Sequence, residues 1–195
     1  MNTLKAEKRD METKAKKLRR EGFVTGNIFG KEIEGSIPVK MEKAEGDKLL
    51  KTKNKGSQIV LDVDGQKMHV LIKEVDYNTL KKQVDEVDFQ ALVSGEKVHS
   101  VAEVVLLNHE MVMEGVLEPV LTEIAYKAVP EALVEKVEID VANMKPGESV
   151  KVKDLPIASN KDIDLMTDLE ITVVTVLEAH NAAVDDTEEE TVEEA

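Results

Sequence analysis

The sequence predicts a mostly β protein: a small β-barrel-like N-terminal domain with short helices over residues 1–91, a second all-β domain over 92–180, and a disordered acidic tail over 181–195. Three observations predict it. Ile59, Leu61 and Val63 alternate with polar neighbours up to Asp64-Gly65, a preferred type I′ hairpin corner, which marks a tight antiparallel pair. From Val98 the chain is rich in Val, Leu and Glu, cut by Pro130, Lys145-Pro146-Gly147-Glu148 and Pro156 at strand-like intervals. Charge divides the chain as well. Of its 26 basic and 40 acidic residues, 19 and 16 lie in 1–91, net +3, and 7 and 24 in 92–195, net −17.

In chain order, Thr3 to Arg9 alternates well enough for an opening strand, and Asp10 to Thr13 supplies turn and cap residues. Lys14 to Glu21 reads as a short helix with Leu18 and Ala15 inward, stopped by Gly22. Phe23 to Gly30 is a strand in which Gly26 marks a bulge or a close backbone approach. Gly35 to Val39 is a further short strand. Met41 to Lys51 is a helix weakened by Gly46, at a propensity cost of roughly 1 kcal/mol. Ser57 to Val63 and Gln66 to Val75 form the hairpin, and Val84 to Val93 returns with Val87 and Phe89 on one face.

In the second half the expected strands are Val101 to Leu107, Leu117 to Val129, Val134 to Val141, Ser149 to Val152 and Ile171 to Leu177. Asn181 to Ala195 contains seven acids and no base, so self-repulsion and lack of apolar residues predict disorder there.

Composition restricts function. The four histidines, His69, His99, His109 and His180, are scattered, and no zinc-protease, nucleophile-elbow or phosphate-loop motif occurs, so an enzyme is not expected. Without Cys there is no disulfide framework, thiolate metal site or cysteine nucleophile, which suits a reducing compartment. No apolar run approaches the ~20 residues of a membrane-spanning helix, and the N-terminus is too charged for a signal peptide. The expectation is a soluble intracellular protein with no cofactor and no small-molecule substrate. Against an acidic background, Lys14, Lys16, Lys17, Arg19 and Arg20 crowd one short helix, and such a locally positive face points to a polyanionic partner. With aromatics at 3% and no Trp, a nucleic-acid surface here cannot rest on rows of stacked bases and leans on charge and groove shape.

The order of motifs resembles the bacterial large-subunit ribosomal proteins that bind 5S rRNA, in the long two-domain form known as general stress protein CTC. The resemblance runs through Ala6-Glu7-Lys8-Arg9, Lys16-Lys17-Leu18-Arg19, Gly22 to Gly30, Leu61 to Gly65, Val70 to Val75 and Glu86-Val87-Asp88-Phe89. In the second half it continues through Glu114 to Glu118, Val137 to Val141, Gly147-Glu148 and Lys153-Asp154-Leu155. Three positions depart from the family pattern: Thr25 stands for the usual Pro, Phe29 for Tyr and Glu86 for His. An ionised Glu at position 86 repels phosphate where a His can donate to it.

The resemblance implies a ribosome-associated cytoplasmic protein whose partners are 5S rRNA and neighbouring large-subunit components. Lys14, Lys16, Lys17, Arg19 and Arg20 would neutralise backbone phosphates, and Arg9 would reach a phosphate or base edge beside them. Phe29 would lie on the contact surface, and the Asp88 carboxylate would accept from an exocyclic amine. The alternative is a stress-associated ribosome adaptor that acts through its acidic second domain by protein contacts.

Overall fold

The computed structural model describes residues 3–112 and 115–178. The expected acidic tail lies outside them. Its first half is a closed six-stranded barrel of β1 (Thr3–Lys8), β2 (Phe23–Phe29), β3 (Ser36–Glu42), β4 (Gln58–Val63), β5 (Gln66–Asn78) and β6 (Gln83–Ala91), in the order β1-β3-β2-β6-β5-β4. Strand alternation puts Leu4 and Ala6 of β1, Val24 and Ile28 of β2 and Ile59, Leu61 and Val63 of β4 into one core. The β4–β5 corner forms as its residues demand: Asp64 (φ 51°) and Gly65 (φ 90°) both take the left-handed conformation of a type I′ turn.

Closure depends on two parallel pairs inside a mostly antiparallel barrel. β1 runs parallel to β4, with Leu4 opposite Leu61, and β2 runs parallel to β6, with Gly26 opposite Val87. At Gly26 a Cβ would stand 2.1 Å from the Val87 carbonyl oxygen and 3.6 Å from the Phe89 ring. The expected close approach is therefore real, and it lets the fully buried Phe89 fill the space between these strands.

Two helices accompany the barrel, α1 (Ala15–Arg20) and α2 (Lys43–Leu50). Helix α2 begins two residues later than expected, because Met41 and Glu42 still pair with Val24 and Phe23 and bury the Met41 side chain. Pairing energy overrides local helix propensity at that boundary. Leu49 of α2 joins the barrel core.

The second half contains β7 (Val98–Leu107), β8 (Val116–Pro119), β9 (Glu123–Ala128), β10 (Lys136–Asp140), β11 (Ser149–Lys151), β12 (Ile163–Leu165) and β13 (Thr172–Leu177). They form a four-stranded sheet, β10-β7-β9-β12, and a three-stranded sheet, β11-β13-β8, around one shared core. The single strand expected over 117–129 is two, broken at 120–122, where Val120 and Leu121 both donate to the Val173 carbonyl. Strand β12 was not expected. Tyr126 is fully buried, and its hydroxyl donates to the Val134 carbonyl and accepts from the Val134 N–H, both at 2.8 Å. Burial pushes its phenol pKa up, so the group stays neutral and pins the loop before β10.

That loop meets the barrel. Lys53 Nζ lies 2.7 Å from both Glu135 carboxylate oxygens, Gln58 Nε2 donates to the Pro130 carbonyl at 2.7 Å, and Lys55 pairs with Glu123 at 3.2 Å. Between these contacts Gly56, at φ 84°, packs so closely that a Cβ would come within 2.0 Å of the Val101 carbonyl oxygen.

Candidate nucleic-acid interface

Helix α1 is short and built from good helix formers, Ala-Lys-Lys-Leu-Arg-Arg, with no β-branched residue. The left-handed Gly22 (φ 90°) follows it and turns the chain into β2. Leu18 is its buried residue, yet it does not belong to the barrel core, because α1 packs on the outer face of β2. This packing covers Thr25, which is fully buried and donates from Oγ1 to the Asp85 carbonyl at 3.4 Å. The Thr at a position where the family resemblance has Pro is therefore an internal residue.

Around this anchor the predicted cations fall into two sets. Lys14, Lys16 and Arg20 are exposed and make no ion pair among the described residues, while Lys17 makes only a loose 3.8 Å pair with Glu21. Arg9 and Arg19 are partly buried. Arg9 Nη2 donates to the Thr13 carbonyl at 3.0 Å, closing the turn that launches α1. Arg19 Nη2 reaches Glu86 Oε2 at 3.5 Å. In both arginines Nε is buried with no hydrogen-bond acceptor among the described residues, so neither guanidinium is fully used there.

The adjoining surface is the outer ladder of β2 and β6. Inward Val24, Gly26 and Ile28 leave Thr25, covered by α1, and the partly exposed Asn27 and Phe29 on the outer face, in parallel register with Glu86, Asp88 and Gln90. Asn27 ties the ladder together: its side-chain amide donates to Glu86 Oε1 at 3.3 Å and to Asp88 Oδ1 at 3.2 Å, and its backbone N–H also donates to Asp88 Oδ1 at 3.2 Å. Among the described residues no hydrogen bond falls on Asp88 Oδ2. Glu86 is not an isolated repulsive charge, since Arg19 and Asn27 both satisfy it. Phe29, half-buried at the end of β2, stands opposite Gln90.

Two residues with a bearing on this surface escape sequence reasoning. Asn27 is one, recognisable only once the register puts it between two carboxylates. Lys81 is the other, at the tip of the β5–β6 hairpin. Hydrogen bonds from Asn78 and Gln83 hold the Asp85 carboxyl below its ordinary range, helped by the positive charges of Arg19 and Lys81. The hairpin tip and α1 thus lie in one electrostatic neighbourhood, about 60 residues apart in sequence, beyond the reach of a local pattern. Among the described residues no three metal-ligating side chains gather, and no helix is long and apolar enough to cross a membrane.

Residues 4–89 match the Ribosomal L25p family, and residues 97–180 match the C-terminal domain of ribosomal protein TL5. These are families of ribosomal proteins and not of enzymes. Large ribosomal subunit protein bL25 of Listeria monocytogenes (serotype 4b, strain F2365) is 32% identical over 178 residues, which cover 89% of this chain and 84% of that protein. The protein of the same name from Exiguobacterium sibiricum is 29% identical over 181 residues, 91% of this chain and 79% of that one. General stress protein Ctc of Bacillus subtilis (strain 168) is 28% identical over 193 residues, 97% of this chain and 94% of that one. The chain belongs to the Ribosomal L25p family, in a two-domain form that carries the TL5-type C-terminal domain.

Proposed function

We propose that this protein is a component of the bacterial large ribosomal subunit that binds 5S rRNA through its N-terminal barrel. The observation that carries it is the corner where α1 crosses β2. Three cations with no ion pair among the described residues and two incompletely paired arginines stand beside the outer ladder of Asn27, Phe29, Asp88 and Gln90. A-form RNA is read by shape and backbone contact, so such a surface holds phosphates with Lys14, Lys16, Lys17 and Arg20 and lays the ladder against an irregular minor groove. Arg9 and Arg19 swing toward phosphate by giving up one hydrogen bond each. Asp88 Oδ2 accepts from a guanine or cytosine amine.

Replacing Lys16, Lys17 and Arg19 together by Ala tests this, because Ala preserves helix propensity while removing the charges that neutralise up to three phosphates. The slope of log affinity for a 5S rRNA transcript against log salt becomes shallower by about 0.9 for each phosphate no longer neutralised. An unchanged slope with undiminished subunit association removes α1 from the interface.

A further inference from the structure

A second basic surface lies beside helix α2. An open groove of about 530 Å³ lies between the C-terminal end of α2 and the β5–β6 hairpin, lined by Leu50, Lys51, Val75, Tyr77, Lys82 and Val84 among others. Its electrostatics differ from those of the neighbouring seam between the two halves. Lys53, and Lys55 where the groove wall meets the seam, are spent on Glu135 and Glu123, whereas Lys48, Lys51, Lys81 and Lys82 are exposed and have no carboxylate within ion-pair distance among the described residues. Asp47 is the acid on the groove wall. Tyr77 is 51% exposed, although aromatics make up only 3% of the chain.

We propose that this groove binds an unpaired RNA segment, with one base stacked on Tyr77 and the flanking phosphates held by Lys51 and Lys82. It shares its partner class with the 5S rRNA function proposed above and uses different residues. A single exposed ring on an apolar floor between lysines suits one splayed-out base; a duplex keeps its base faces stacked and offers only phosphates. An acidic polypeptide would pair with the lysines and leave the ring face unused.

Full-length protein titrated with a short fluorescent oligouridylate tests this. Tyr77→Ala weakens binding about tenfold and Tyr77→Phe does not, since the ring face is what stacks. Lys51→Ala combined with Lys82→Asn lowers the salt slope by about 0.7 for each phosphate released, and Asn tolerates the positive φ of 50° at position 82. These variants keep the α1-dependent part of 5S rRNA transcript binding. A wild-type chain that ignores oligouridylate, or a Tyr77→Ala variant that binds it undiminished, overturns the proposal. Binding of poly-glutamate that depends on Lys51 and Lys82, with none of oligouridylate, overturns it in favour of an acidic polypeptide. The two functions separate cleanly: a wild-type chain that binds the transcript and not oligouridylate defeats the groove alone, and 5S rRNA binding that survives the Lys16, Lys17 and Arg19 substitutions defeats the helix.

Discussion

Gly26 and Gly46 look alike in sequence and differ completely in what surrounds them. A methyl group at position 26 meets the Val87 carbonyl oxygen at 2.1 Å, so β2 must part from β6. Gly26→Ala therefore destabilises the barrel by about 3 kcal/mol or more, read as a fall in urea midpoint. At Gly46 the nearest atoms are Val24 Cγ2 at 3.7 Å and Met41 Sδ at 3.8 Å, ordinary contact distances, and the site is helical. Gly46→Ala accordingly stabilises by about 0.5–1 kcal/mol. A midpoint that fell for both variants would show that the space beside α2 is already full. Position 86 gives the second residue-scale test. Glu86 holds Arg19 at 3.5 Å, so Glu86→His removes a carboxylate and releases a guanidinium together. On the proposed function, affinity for the 5S rRNA transcript rises and the salt slope steepens by about 0.9, the share of one further neutralised phosphate. An unaltered slope would mean that Arg19 stays on the protein. The sequence made the charge of Glu86 visible and concealed its partner, because an ion pair 67 residues apart leaves no local trace.

Among the elements, legibility followed the range of the interactions that form them. The β4–β5 hairpin was readable because Asp64-Gly65 specifies its own turn, and α1 because Gly22 ends it. The boundary of α2 was not, since Met41 is held in β3 by Val24 across the sheet. β12, with three residues, is too short to show alternation and exists through its pairing with β9. A charged clasp closes the segment that follows β11. Glu170 accepts hydrogen bonds from Lys153 and Lys151, each at 2.9 Å, and these hold its carboxyl at about 2, below the ordinary 4.5. The folded state thus binds this proton more weakly than the unfolded chain. The clasp contributes fully above pH 4.5, and its contribution is lost as the pH falls toward 2. Glu170→Gln is less stable than the parent near neutral pH, and the difference between their urea midpoints narrows through that acid window. A constant difference would place the effect of the substitution elsewhere. The pair is exposed, so the effect is small.

At the scale of the whole molecule, the two halves are joined by ion pairs, by hydrogen bonds such as that from Gln58 to Pro130, and by the close approach at Gly56. Lys53 and Lys55 bind carboxylates of the acidic half, and Gly56 lets the backbones touch. Gly56→Ala forces the Val101 carbonyl away, so small-angle scattering should report a larger radius of gyration with the far-ultraviolet spectrum of both halves retained. An unchanged radius would mean that the seam yields without opening. The fold class and the split in charge were legible in the sequence, whereas the seam was not, because its lysines look like any solvated run until Glu123 and Glu135 arrive from the other half. The parallel pairing of β2 with β6 also bears on timing. The outer ladder proposed to meet RNA has one wall from residues 23–29 and the other from 83–91, and the walls become neighbours only when the barrel shuts. A nascent or proteolysed chain that stops short of β6 carries every cation of α1 and has no ladder for them to stand beside. Long-range parallel closure is among the slower steps of folding. On the proposed function, selective recognition on this surface is therefore withheld until the fold is finished, and an incomplete barrel is left with indiscriminate charge alone.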